Sequence, residues 1–140
     1  MDYKKFILSF VSFVLIFFLF PTLIYSFFSK FYGMEPPFKI FSDDISYIVY
    51  LQIFQALIFL LVFWVIIRKN REKAIPIGIL TSVLLFFLAE FSPKVAHAFI
   101  FQYISTFYLK ISLLAGLLTY LVCGFFLGKV FKEKKETLRL

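Results

Sequence analysis

Residues 45–91 read ISYIVYLQIFQALIFLLVFWVII, RKNREK, AIPIGILTSVLLFFLAEF. Two long apolar runs are joined by six polar residues, five of them charged. At about 1.5 Å of rise per residue, either run as a helix approaches or exceeds the roughly 30 Å hydrocarbon core of a bilayer. A linker this short permits only a tight antiparallel helical hairpin. The fold class follows: an all-α, polytopic membrane protein.

The rest of the chain extends the pattern. Residues 6–28 form another apolar run behind Lys4 and Lys5. This run exceeds the roughly 7–15 residues of a signal-peptide core and is followed by no small-x-small cleavage pattern, so it is expected to be a retained first span. Pro21 removes a backbone donor inside it and is expected to kink it. Gly33 and Pro36-Pro37 interrupt the following loop, and Ser42-Asp43-Asp44 supplies a capping hydroxyl and acids for the positive end of the next helix. Four spans are expected, over residues 6–28, 45–67, 74–91 and 111–127, followed by a basic cytoplasmic tail, 128–140. Ser92-Pro93 has the form of a helix stop followed by a new start. On a helical wheel His97, Gln102, Ser105 and Thr106 fall on one half, opposite Phe99, Ile100, Tyr103, Ile104 and Phe107. Residues 93–109 are therefore expected to be an amphipathic interfacial helix before the last span. A short fifth span is the rival reading, and it would carry His97, Gln102 and Lys110 to membrane depth.

Composition agrees. Soluble domains carry about 45–50% apolar residues, whereas this chain of 140 residues carries 62%, with 16% charged. Its net charge is +7. In this setting the charge flanks the spans and is no sign of nucleic-acid binding. Eleven Lys and Arg fall on the N-terminal segment, the 68–73 linker and the tail, against four on the other side (Lys30, Lys39, Lys94, Lys110). Basic residues accumulate in cytoplasmic loops, so both termini are expected in the cytoplasm, with the protein in the cell (inner) membrane. A fifth span would place the basic tail outside.

Helices in lipid associate through small residues and a few polar contacts. Ala74, Gly78 and Ser82, with Leu85 and Ala89 near the same line, form one such stripe. Ser112, Ala115, Gly116, Thr119 and Cys123 form another. Gly124 and Gly128 make a further small-residue pair, a weak sign of oligomerisation. The 23 phenylalanines point in several directions around their helices and are expected to face lipid or fill gaps.

Polar residues within the membrane are functional candidates by default. Glu90 is the one carboxylate inside an expected span, at its outer end, where it can reach water or pair with Lys94. His97 is the sole histidine, and Lys110 precedes the last span. Gln52 and Gln55 share a side of the second span with Asp44, Ile48, Phe59 and Val62, a face expected to turn inward. Thr22, Ser26 and Ser29 form a polar stripe toward the same outer side. The single cysteine, Cys123, excludes an internal disulfide and paired-thiol redox chemistry. Neither a metal cluster nor a phosphate-cradling glycine loop is present in the sequence, and no cofactor is expected. These residues point first to a non-enzymatic accessory or assembly subunit that docks onto a larger membrane protein. A homo-oligomeric transporter or channel lined by Gln52, Gln55, Glu90 and the Thr22/Ser26 stripe is the alternative. A lipid-processing enzyme using His97 and Glu90 is a third.

Overall fold

The computed structural model describes residues 3–32, 42–101 and 106–132, and within these leaves aside the side chains at 29, 31, 32, 42–49, 51, 52, 97 and 101. Apart from the turn at residues 68–70 and Lys132, every described residue is helical. Helix α1 is Tyr3–Tyr32, α2 Ser42–Ile67, α3 Ala74–Phe86, α4 Ser92–Phe101 and α5 Thr106–Phe131. A 3-10 turn, Arg71–Lys73, precedes α3, and a π-helical turn, Phe87–Phe91, joins α3 to α4. Three stretches are long and apolar enough to cross a membrane: Tyr3–Phe28, Arg71–Ile100 and Thr106–Phe131. The described part of α2 adds a shorter apolar helix, Ile53–Ile67.

Helix α2 is already formed at Ser42, the first described residue after 41. Its hairpin with α3 is tight: Asn70 N–H donates to Ile67 O at 2.8 Å, and Lys73 N–H to Asn70 O at 3.0 Å. Helix α1 runs unbroken through Pro21. Around this hairpin the helices close a ring in which α1 packs on α2 and α5, and α3 packs on α2 and α5. The α3–α5 contact is the most extensive.

Absent side chains account for that contact. A Cβ on Gly78 would run into the carbonyl oxygen of Gly124, and a Cβ on Gly124 into that of Gly78. One turn on, a Cβ on Gly128 would lie 2.6 Å from Ile75 Cα and 2.8 Å from Ala74 O. The two backbones therefore touch, which allows reciprocal Cα–H···O contacts as well as close dispersion packing. Ala74, Gly78 and Ser82 are all buried, as their spacing indicates. Gly124 and Gly128, expected as an oligomerisation signal, are consumed inside the chain. Ser82 and Thr119 are buried hydroxyls that satisfy themselves locally, donating to Ile79 O and Ala115 O at 2.7 Å.

Two expected helix limits are corrected. Ser92 has helical dihedrals (φ −60°, ψ −48°), so Ser92-Pro93 neither stops a helix nor caps a new one. Pro93 lacks an N–H and its ring crowds the carbonyl four residues back. The π turn accommodates this by shifting the hydrogen-bond register, with Ser92 N–H donating to Phe87 O, five residues earlier. Helix continues from Ala74 to Phe101, about 42 Å at 1.5 Å per residue. The last helix includes 106–110 as well as the expected 111–127: no Gly or Pro interrupts 106–110, and Lys110 is exposed on its first turns. Of the expected interfacial helix, 102–105 lie outside the described residues, as does the loop at 33–41.

On α2 the inward face is Ala56, Phe59, Leu60, Phe63 and Ile67. It is rotated from the expected face: Phe59 is on it, Gln55 sits half-buried at its margin and Val62 is exposed.

Gly78→Ala is expected to force α3 and α5 apart and to lower stability by about 1–3 kcal/mol, the usual cost of overpacking. Thermal unfolding in detergent reads this directly. The reverse change at an exposed position, Ala89→Gly, should cost only about 0.5–1 kcal/mol in helix propensity.

Candidate functional site

The ring is filled by aromatic side chains drawn from all four of its sides. Tyr120 of α5 is the hub. Phe17 of α1 meets it edge-on at 4.8 Å between centroids, and Phe59 of α2 and Phe86 of α3 each lie 6.0 Å away. Phe13 stacks on Phe17 at 4.5 Å and tilts against Phe59 at 4.8 Å. Offset and edge-to-face pairs of this kind each add about 0.5–1.5 kcal/mol beyond area burial. Of the phenylalanines expected to face lipid or fill gaps, Phe13, Phe17, Phe63 and Phe86 are buried in the core, as is Phe59.

Above this plug, at the π turn, lies the polar cluster. Glu90 is one of the turn's five residues. Its carboxylate accepts from Lys94 Nζ at 2.5 Å, with the Glu90 side chain 18% exposed. Glu90 Oε2 also lies 3.8 Å from where a Cβ on Gly116 would be, and Phe86 Cε2 3.1 Å from it. The missing side chain at Gly116 thus admits both Phe86 and the Glu90 carboxylate against α5. Nearby on the α1–α5 side, Tyr25 and Tyr108 stack with centroids 6.1 Å apart and share a hydrogen bond.

The other sequence candidates are dispersed. Gln55 is half-buried on α2 and Lys110 is exposed on α5. The side chains of Gln52 and His97 lie outside the described residues. Thr22 and Ser26 are exposed, and Thr22 bonds back to Phe18 O at 2.8 Å. That stripe therefore faces outward and lines no cavity inside the ring. Tyr120 escaped the sequence reading, although it sits midway on a four-residue line with Gly116, Gly124 and Gly128. A large ring among glycines marks where the helices part, between the points where they touch.

A carboxylate with an ammonium group one turn away is a neutral pair. It is suited to fixing the π turn against α5. Among the described residues no group of three or more His, Cys, Asp or Glu could hold a metal ion. Cys123 is a free, buried thiol in the core.

Two outcomes are expected. Tyr120→Ala should remove the hub and cost about 3–5 kcal/mol, as large core truncations do, whereas Tyr120→Phe should keep the ring packing and most of the stability. Glu90→Gln breaks only a part-exposed pair one helical turn apart, so stability should change by less than about 1 kcal/mol. Thermal unfolding of the three variants in one detergent checks both statements. No family model, curated protein or solved structure matches this chain.

Proposed function

We propose that this chain is a small multi-pass membrane protein with four spans and that it serves as a non-enzymatic accessory or assembly subunit of a larger membrane complex. One observation carries the reading: the interior of the helix ring is occupied by the Phe13, Phe17, Phe59, Phe86 and Tyr120 side chains. A path for a polar substrate through a single chain would have to displace that plug. The described charged side chains lie instead toward the ends of the helices, where they suit anchoring and contact with a partner.

In this reading α2, the second span in order, completes the set of four, although its described apolar part is the shortest. Residues 74–91 cover the bilayer core, and α4 carries the third rod into the outer headgroup region with its amphipathic sequence. Both termini and the 68–73 hairpin are cytoplasmic, on the strength of the eleven-to-four distribution of Lys and Arg. The membrane is the cell (inner) membrane. The outer surfaces of α1 and α2, which expose Leu15, Leu19, Phe54, Leu61 and Val65, meet lipid and the partner.

A second reading, a homo-oligomeric transporter, is favoured by the inward-packed Glu90 carboxylate near an expected outer surface. It would place the substrate path between copies rather than through one.

Affinity purification in mild detergent, with mass spectrometry of near-stoichiometric companions, separates the two. Co-elution of one larger membrane protein is expected. A clean homo-oligomer that carries flux in liposomes, with the flux lost in Glu90→Gln, would replace the accessory reading with the transporter. Orientation is checked in a Cys123→Ala background: Arg71→Cys should react with an impermeant maleimide only after the cells are opened, and Lys110→Cys in intact cells.

A further inference from the structure

One end of the helix ring carries most of the described charge. Antiparallel packing brings it together. The register that sets Gly78 against Gly124 and Ile75 against Gly128 places Lys73 across from Lys129, on backbones already in contact. Phe63 of α2 meets Phe131 of α5 at 5.7 Å, so Lys132 stands near the end of α2 and its continuation, Arg68 and Lys69. On α1, Phe17 meets Tyr120 and Tyr25 meets Tyr108, so α1 runs antiparallel to α5 and its Lys4 arrives at the same end. Arg68, Lys69, Lys73, Lys129 and Lys132 are all exposed. Among the described residues the carboxylate at this end is Glu72, which already has an interaction of its own. The opposite end carries Lys30, Lys94 and Lys110, with Lys94 neutralised by Glu90.

We propose that this basic rim, centred on Lys73, Lys129 and Lys132, is a binding surface for the headgroups of anionic phospholipid. The glycine contact holds the backbones of α3 and α5 together beside Lys73 and Lys129, and among the described residues Glu72 is the carboxylate at this end. A phosphodiester at the membrane surface supplies the missing charge at the depth where these lysines emerge. Juxtamembrane clusters of lysine and arginine are drawn to anionic leaflets on the same physical grounds. The inference rests on the membrane reading, though not on its orientation or on the accessory role.

The test is lipid binding by the full chain in detergent, read by native mass spectrometry during titration with phosphatidylglycerol and, separately, phosphatidylcholine. Wild-type protein is expected to bind phosphatidylglycerol at least about tenfold more tightly, since each cation near an anionic surface contributes several-fold. The triple variant Lys73→Gln/Lys129→Gln/Lys132→Gln should lose that preference. Lys30→Gln/Lys110→Gln, at the other end, should keep it, as should the arginine versions of the three rim lysines. Equal binding of the two lipids by wild type overturns the proposal, and so does equal loss in the two glutamine variants. Displacement of the lipid by millimolar inorganic phosphate would make the rim a site for free anions and would also overturn it. Should the triple variant fail to fold, wild-type phosphatidylglycerol binding must still weaken with added salt, because exposed charges are screened; indifference to salt refutes the rim. Alkaline extraction of membranes keeps the premises apart. A chain released into water ends the membrane reading, whereas a retained chain without lipid preference ends only this one.

Discussion

The backbones of α3 and α5 touch at Gly78 and Gly124, and the other helices are placed by what that contact allows. In lipid a helix gains little from burying apolar surface, because the solvent is as apolar as the neighbour. Association must come from close approach, and here it comes from three glycines with Ala74 and Ser82 around them. The contact fixes the register of the two helices. That register sets Gly116 beneath Phe86 and Glu90, and leaves Tyr120 to fill the wider space between the touching points. Phe17 and Phe59 then pack on Tyr120 and hold α1 and α2 in the ring.

Much of this was legible in residues and some of it was not, for identifiable reasons. Apolar length, the 68–73 hairpin and the Ala74, Gly78, Ser82 stripe depend on local composition and spacing, and the structure follows each of them. Which Phe residues fill gaps and which face lipid could not be read, because periodicity needs contrast between faces. In a span that is apolar on every side, a phenylalanine against Tyr120 and one against lipid look alike. Proline at 93 misled for a different cause. The sequence shows the lost donor, but not the Phe86, Phe87 and Phe91 rings packed around the π turn, which sit 5.1–6.3 Å apart. Glu90 was singled out correctly as a carboxylate near Lys94, yet its place over Gly116 depends on a residue twenty-six positions away. The polar stripe of Thr22 and Ser26 turned outward because a hydroxyl can bond to its own helix and needs no partner across the bundle.

Function follows from where polarity was left. The aromatic plug occupies the space that a transporter of this size would keep open within one chain. The ion pair at the π turn is spent on fixing the helix against α5, and the concentrated positive charge lies at the opposite end. The buried Ser9 hydroxyl, without a hydrogen-bond partner, shows that even in α1 a polar group is tolerated for its small size.

The central claim is that the Gly124–Gly128 pair is used within the chain, and a cross-link tests it most directly. In a Cys123→Ala background, Lys73→Cys and Lys129→Cys put two thiols on the exposed flank of the α3–α5 contact and add no side chain to any glycine. A short bifunctional maleimide added to dilute protein in detergent, followed by electrophoresis and peptide mapping, is expected to yield a cross-link within one chain. Covalent dimers alone, or thiols that stay unreacted, would contradict the contact on which the fold has been built.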